Sequence, residues 1–169
     1  PIGTYSEKQI IPEDKLVKVP DNISDEVASC ITLKGITAEY LLHRTYQVKK
    51  GDKILYHAAA GALGQIFCPW ANALGAEIIG TVGSDEKIEI AKKNGCHHVI
   101  NYNEKNFVKE VEKIVGKNGL DVVYDGVGAK TFEGSIEVLK VRGMMVAFGN
   151  ASGYVHTLDI KNLIHFTLS

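Results

Sequence analysis

The residues best placed to do chemistry are three small ones, Ala59, Gly61 and Gly64, in the run His-Ala-Ala-Ala-Gly-Ala-Leu-Gly at 57–64. Their spacing matches the dinucleotide-binding pattern Gly-x-Gly-x-x-Gly, with alanine in place of the first glycine. In that pattern Gly61 lets the backbone approach a pyrophosphate, and Gly64 lets the next helix pack on the strand. Because the pattern is degenerate, an ordinary tight strand-to-helix turn explains it equally well, and the neighbouring segments must decide.

The turn lies between a predicted buried strand at 54–57 and a predicted helix at 66–74. A strand that turns tightly into a helix exposes the helix's first backbone N–H groups and the positive end of its dipole. Such a helix start is a ready-made site for a phosphate group.

The tip of the second predicted strand indicates which nucleotide is bound. NAD enzymes place an acid there to bind the adenosine ribose 2′-hydroxyl, but this strand ends in Gly-Thr-Val-Gly-Ser at 80–84. Gly83 and Ser84 leave room for a 2′-phosphate, and Lys87 supplies positive charge. Asp85 follows the tip, as a first-turn helix residue. We therefore predict NADPH as the cofactor, although a solvated surface role for Lys87 stays open.

Three further strand ends face the same edge of the predicted sheet. Tyr102 follows the third strand, Asp-Gly-Val-Gly follows the fourth at 125–128, and Phe148 ends the fifth. Glycines such as Gly126 let a ligand lie against strand ends, as expected where the strand order of an open sheet reverses. A rim position for Tyr102 and a simple loop exit at Phe148 are equally open. For Asp125, capping of the next loop is favoured over acid catalysis.

The fold class predicted is α/β, a Rossmann-type doubly wound parallel sheet, because apolar strands alternate with helices of amphipathic spacing. The strands are continuous apolar runs, which is typical when both faces of a sheet are covered. The predicted strands are 54–57, 77–82, 98–100, 120–124 and 143–148, and the predicted helices are 66–74, 85–94, 106–115 and 131–139.

The first residues differ in character. Extended runs are predicted at 4–11 and 16–19, and Ser24 is a candidate helix cap. Gly35 is expected to interrupt that helix, with a second helix at 36–46. We predict that residues 1–23 are terminal strands of a truncated β-rich domain and that 24–169 form the dinucleotide-binding domain. Both ends of the sequence are expected to be cut from a longer chain.

Composition narrows the function classes. The 169 residues carry a formal net charge of −1, which gives no reason to expect nucleic acid or an anionic membrane as a partner. No apolar run approaches the roughly 20 residues of a membrane span. Cys30, Cys68 and Cys96 form no paired motif, so buried, reduced thiols in a cytoplasmic protein are expected, with no metal site. Structural packing is favoured for the histidines, including His57.

Taken together, these motifs resemble the quinone oxidoreductases of the zinc-free medium-chain dehydrogenase/reductase superfamily, the zeta-crystallin-like family. The resemblance spans nearly the whole chain and is specific as a set rather than motif by motif. It rests on residues 3–6, 34–38, 57–64, 80–84, 99–102, 123–128 and 148–150.

The resemblance implies NADPH-dependent hydride transfer to quinones or other α,β-unsaturated carbonyls. It implies a full-length protein with a GroES-like catalytic barrel and a Rossmann domain, which dimerises; this chain resembles the Rossmann part with the last barrel strands. No catalytic side chain is implied. The cofactor positions it implies are Thr37 near the nicotinamide, Ala62 and Leu63 on the pyrophosphate, Gly83, Ser84, Lys87 and Tyr102 on the 2′-phosphate side, and Gly126 and Phe148 flanking the cofactor.

Two departures and two rival functions accompany the resemblance. Gly126 stands where the family often has serine, and Ala62 stands where it has glycine; both changes are expected to weaken the site without abolishing it. A methyltransferase would want an acid at the second strand tip, which is missing. A non-enzymatic NADP(H)-binding or structural module on the same fold remains the alternative. We expect the isolated chain to have little or no turnover.

Overall fold

The computed structural model describes residues 5–157, and it divides the chain into two units, 1–32 and 33–169. The described residues include short 3₁₀ turns at Glu13–Lys15 and Asp85–Lys87 and a π-helical turn at Leu41–Thr45. The helices are α1 (Asp25–Tyr40), α2 (Gly64–Ala73), α3 (Ile88–Lys93), α4 (Phe107–Val115) and α5 (Phe132–Glu137). The strands are β1 (Lys53–Tyr56), β2 (Glu77–Val82), β3 (His98–Asn101), β4 (Leu120–Asp125) and β5 (Leu139–Ala147).

The five strands form one parallel sheet in the order β3-β2-β1-β4-β5. The first strand is therefore central, and the chain passes outward on one side and then on the other, which confirms the predicted doubly wound fold. Tyr56 pairs with Gly80 on one side and with Tyr124 on the other. Because all strands are parallel, their carboxyl ends and the turns that follow share one edge of the sheet.

Alternate residues of the central strands supply separate cores on the two faces of the sheet. On one face the ring of Tyr56 stacks on Phe67 of α2 at a centroid distance of 4.4 Å, and Phe67 meets Tyr124 edge-on at 4.6 Å. On the other face Leu55 packs in a buried cluster with Val111 of α4. Covering both faces explains why the strands show no alternation of apolar and polar residues.

The helix before β1 differs from the prediction. It continues through Gly35 to Tyr40 and then passes into the π-helical turn at 41–45, instead of breaking at Gly35. A single glycine costs a helix only about 1 kcal/mol, which the flanking helical residues overcome. The hydroxyl of Tyr124 donates to the carbonyl of Leu41 at 3.0 Å, so the π-helical turn is fixed to β4.

The strand before residue 148 also differs, because β5 begins at Leu139 rather than at Gly143. The pairing with β4 is irregular: Leu120 pairs with Leu139, whereas Val122 pairs with Met144. The extra residues include Arg142, whose φ is +64°. Regular pairing resumes at Met144, one residue after the predicted start.

The strands predicted in the first 23 residues are not formed in the described part of that segment, residues 5–23. The backbone there forms the 3₁₀ turn at Glu13–Lys15, and Leu16 is extended without a ladder partner. An extended segment becomes a strand only where a neighbour completes its backbone hydrogen bonds. Gly3 and Thr4 lie outside the described residues, and the assignment of 1–23 to a separate domain stays a prediction.

The cysteines are not all buried as predicted. Cys68 and Cys96 are buried in the same core cluster, whereas Cys30 is exposed, and all three are free thiols. A hydrogen bond with the Cys96 thiol, followed by burial, raises the pKa of Cys68 well above its usual value. Among residues 5–157, no helix combines the length and apolar character needed to cross a bilayer.

Candidate functional site

The turn after β1 is closed by backbone hydrogen bonds to its neighbours. The N–H of Ala59 donates to the carbonyl of Thr81 at 2.9 Å, and that of Gly61 donates to the carbonyl of Ala58 at 2.9 Å. The left-handed residue is Ala58, with φ of +59°, so Ala59 itself needs no positive φ. This explains why alanine is accepted in place of the first glycine of the pattern.

Close packing requires the last glycine of the pattern. A Cβ on Gly64 would lie 2.3 Å from the carbonyl oxygen of Ala59, well inside any allowed contact. Glycine at 64 therefore lets the start of α2 lie close to the backbone of the turn that follows β1. Ala59 is fully buried, and its methyl group lies close to Gly80 of β2. A Cβ added to Gly80 would be 2.7 Å from that methyl carbon. The Ala59 side chain therefore packs against β2 and is not available to a ligand.

The start of α2 presents open backbone donors. Within residues 5–157, the N–H groups of Ala62, Leu63 and Gly64 have no backbone acceptor, and no side chain caps the helix. Gly61 and Ala62 are exposed, and Leu63 is half-buried. The first turn contains no acid, so its positive end is not neutralised from within. This arrangement can bind an anion such as a pyrophosphate.

The tip of β2 lies beside the end of β3, where Tyr102 is found. Gly83 lies beside the Tyr102 hydroxyl, since a Cβ on Gly83 would be 3.2 Å from that oxygen. Ser84 directly precedes the 3₁₀ turn at Asp85–Lys87, and its hydroxyl does not cap that turn. Lys87 is exposed and forms no ion pair with any residue in the described part of the chain. Its charge is thus available for a ligand.

Two asparagines at the end of β3 were missed from the sequence. The buried Asn101 side chain donates from Nδ2 to Oδ1 of Asp85 at 2.8 Å. The Asn103 side chain donates from Nδ2 to the carbonyl of Gly83 at 2.7 Å. Both flank Tyr102, which the sequence predicts on the 2′-phosphate side. The only available signal was that polar residues followed a strand end.

Gly126 and Phe148 are brought together at the ends of β4 and β5. A Cβ on Gly126 would lie 2.9 Å from the Phe148 ring, and the Phe148 N–H donates to the carbonyl of Asp125 at 2.9 Å. A serine at 126 would therefore displace the ring, which gives a structural reason for glycine in this chain. The Thr37 hydroxyl forms a hydrogen bond within its own helix: it donates to the carbonyl of Leu33 in α1 at 2.7 Å. This bond does not connect Thr37 to Gly126 or Phe148.

A buried polar network lies beneath these turns. His57 directly follows β1, and its Nδ1 is 2.8 Å from the Thr81 hydroxyl while its Nε2 is 2.9 Å from the Ser135 hydroxyl. The Ser135 hydroxyl donates its one proton to the carbonyl of Thr131 at 2.7 Å, and Oδ2 of Asp125 lies 3.3 Å from the same oxygen. Since that proton is used, Ser135 must accept from Nε2–H, and we assign the neutral tautomer with Nδ1 accepting from Thr81. The predicted structural role of His57 is confirmed.

Asp125 anchors the other end of the network and shapes the turn after β4. Its Oδ1 accepts from the N–H groups of Val127 and Gly128 at 2.7 and 3.0 Å, and the Thr131 hydroxyl donates to Oδ2 at 2.8 Å. The carboxylate is completely buried, and these donors compensate its charge. It caps its loop, as predicted, and is not a free acid.

The residues at hand do not fit a zinc ion. No group of three or more histidine, cysteine, aspartate or glutamate side chains in residues 5–157 is arranged to hold a metal. Zinc sites in proteins need three or four such ligands.

Comparison with known proteins places these features in a family. The model of the family described as zinc-binding dehydrogenase matches residues 62–169, and the chain belongs to this family. It is 50% identical over 162 residues to a 2-haloacrylate reductase of a Burkholderia species, and 45% identical over 160 residues to a quinone oxidoreductase of Pseudomonas aeruginosa. Each match covers 95% of this chain and 49% of the relative, so the chain spans about half the length of the relatives.

The crystal structure of an Escherichia coli quinone oxidoreductase complexed with NADPH superimposes with a TM-score of 0.86 at 46% identity. The match covers 90% of this chain and 47% of the other. The fold is therefore that of a family in which a solved member holds NADPH.

Proposed function

We propose, for this member of the zinc-binding dehydrogenase family, that it is the NADPH-binding part of an oxidoreductase that reduces quinones or related α,β-unsaturated carbonyl compounds by hydride transfer. The observation that carries the proposal is the pairing of two anion-binding features at one sheet edge. One is the set of open N–H groups at 62–64. The other is the tip of β2, where Lys87 is exposed and unpaired among the described residues.

Each part of the site would hold a different part of the cofactor. The N–H groups of Ala62, Leu63 and Gly64 would bind the pyrophosphate, because they are the free donors of a helix start. Gly83, Ser84, Lys87 and Tyr102 would surround the 2′-phosphate. Thr37 would lie near the nicotinamide, and Gly126 and Phe148 would flank the cofactor. Ala59 and Gly61 would shape the turn so that its backbone can approach the pyrophosphate.

The chemistry is supplied by the cofactor, since NADPH when bound provides the hydride and the protein orients it. The names of the relatives designate electron-poor conjugated acceptors, a quinone and a 2-haloacrylate. We propose an acceptor of that class. We name no catalytic side chain, because His57 and Asp125, the buried titratable pair at this edge, are engaged in structural hydrogen bonds.

The remaining features of the whole protein are also proposals. We propose that it works without zinc, is a cytoplasmic homodimer, and joins residues 1–23 to a GroES-like barrel. Support for the barrel is the run of exposed apolar side chains in the first unit, which includes Ile10 and Val17, exposed by 101% and 82%. Apolar side chains of this size are usually covered in the working protein.

The decisive experiment is a binding titration of the purified chain with NADPH and with NADH. Trp70, the only tryptophan of the sequence, lies in α2, the helix that follows the turn, and serves as the fluorescent probe. We expect Lys87→Ala to weaken NADPH binding by about tenfold or more, because a hydrogen bond to a charged group contributes about 1.5–3 kcal/mol. NADH binding should change less than about twofold, since NADH has no 2′-phosphate.

Lys93→Ala is the matched control, because Lys93 is an exposed lysine in the last turn of α3 and should leave both affinities unchanged. Equal affinity of the wild type for NADPH and NADH would contradict the proposed cofactor. Failure to bind either nucleotide would contradict the proposed function of the chain.

A further inference from the structure

Asp85 is the carboxylate nearest in sequence to the tip of β2, and the structure shows it engaged. It is the first residue of the 3₁₀ turn, and its Oδ1 accepts from Nδ2 of Asn101 at 2.8 Å. Asp85 is exposed, whereas the Asn101 side chain is only 7% exposed. A buried amide therefore holds an exposed acid that would otherwise be free to move.

The orientation of the Asn101 amide follows from its two partners. Its Oδ1 accepts from the backbone N–H of Asn103 at 3.1 Å, and a backbone N–H can only be met by the oxygen. The NH₂ group must then face Asp85. Because the amide is fixed at both ends and buried, it cannot turn to release the carboxylate without losing a hydrogen bond.

The same strand end also fixes the residues around the acid. Asn103 holds the carbonyl of Gly83, and between the two asparagines the Tyr102 hydroxyl lies beside Gly83. The turn that follows β2 is thus held in place by three consecutive residues at the end of β3. Neither asparagine belongs to the dinucleotide pattern.

We propose that Asn101 is a positioning residue for nucleotide selectivity: by hydrogen-bonding Asp85, it keeps this carboxylate away from the ribose pocket, so that the pocket accepts a 2′-phosphate. A free carboxylate at the tip of the second strand accepts hydrogen bonds from the ribose hydroxyls and selects NAD. It would also repel a phosphate. The inference deepens the proposed function and rests on it.

The test measures the ratio of the dissociation constants of NADH and NADPH in four versions of the chain: wild type, Asn101→Ala, Asp85→Ala and the double variant. Asn101→Ala should lower the ratio about tenfold, because the released carboxylate favours NADH and opposes the phosphate. Adding Asp85→Ala should restore the ratio to within about twofold of the wild type. A merely structural loss at Asn101 would not be rescued by removing Asp85.

Asp85→Ala alone keeps the inference testable even if Asn101→Ala does not fold, since Asp85 is exposed. A held carboxylate should matter little, so this variant should change the ratio less than about twofold. A tenfold rise in the ratio would show that the acid already acts on the ribose and would overturn the inference. The inference would also be overturned if the wild type prefers NADPH and Asn101→Ala has the same ratio of dissociation constants as the wild type. A wild type that binds neither nucleotide would instead overturn the proposed function, and the inference with it.

Discussion

Protonation of His57 should destabilise the fold as the solution is made acidic. The imidazole is 1% exposed and lies edge-on to the Phe107 ring at a centroid distance of 5.1 Å. Burial lowers its pKa from the ordinary value of 6.5 to about 4, and the negative charge of Asp125 opposes this shift without cancelling it. The neutral tautomer fits the network, because a proton on Nδ1 would force the Thr81 hydroxyl to reverse.

The sign and size follow from the two pKa values. The folded-state pKa lies below the unfolded one, so between about pH 6.5 and pH 4 the unfolded chain binds more protons, and stability falls as the pH falls. From about pH 6.5 to pH 5 the window covers about 1.5 units, and each unit corresponds to about 1.4 kcal/mol. We therefore expect His57 to account for a loss of about 2 kcal/mol between pH 7 and pH 5.

Urea unfolding followed by circular dichroism at pH 7 and pH 5 measures the loss in free energy of unfolding. His57→Gln should be less stable than the wild type at pH 7. Its free energy of unfolding should then fall only slightly between pH 7 and pH 5, because the group that takes up the proton is absent. His98→Gln is the matched control: it removes an exposed imidazole beside Glu77 and should retain the loss. If His57→Gln and the wild type lose the same free energy between the two pH values, the assignment of the loss to His57 is refuted.

Three other predictions concern packing and accessibility. Gly64→Ala should lower the free energy of unfolding by about 2 kcal/mol or more, because its Cβ would lie 2.3 Å from the Ala59 carbonyl oxygen. Gly61→Ala would place a Cβ 3.1 Å from the Ala58 carbonyl oxygen in an exposed turn. Urea unfolding should therefore show a smaller loss of stability than for Gly64→Ala, whereas the affinity for NADPH should fall. Equal losses of stability in the two variants would contradict the assignment of packing to Gly64 and phosphate approach to Gly61. A thiol reagent should modify one cysteine of the native chain, Cys30, and the other two only after unfolding; rapid reaction of several native thiols would contradict the burial of the others.

The order and type of the elements could be predicted because apolar runs and helical spacing are local signals. All five strands of the described residues, 5–157, were predicted, and the predicted limits of β2, 77–82, are those of the structure. The need for a small residue at 64 could also be predicted, since the spacing of the pattern places the helix start close to the preceding backbone. The failures arose where tertiary contacts override local preference. Gly35 stays helical, and β5 begins before its glycine because pairing with β4 extends it.

The partners of buried polar residues could not be predicted, because they depend on the order of strands in the sheet. His57 and Thr81 meet because β1 and β2 are neighbours, and Asp125 joins them because β4 lies on the other side of β1. A histidine after a strand and an aspartate 68 positions later carry no signal of contact in one dimension. The same holds for Asn101 and Asp85, which meet across the ends of β3 and β2.

The buried contacts of His57 and Asp125 help to explain why the dinucleotide pattern accepts alanine in place of its first glycine. The turn after β1 follows His57 directly, and the turn after β4 is shaped by N–H groups bound to Asp125. One buried network, from His57 to Asp125, therefore fixes both turns. The residues of the dinucleotide pattern itself mainly need to be small. Alanine at position 59 is accepted because the left-handed residue is Ala58 and the methyl group of Ala59 fills space against Gly80. A substitution within the network should disturb both turns at once, although none of its members belongs to the pattern.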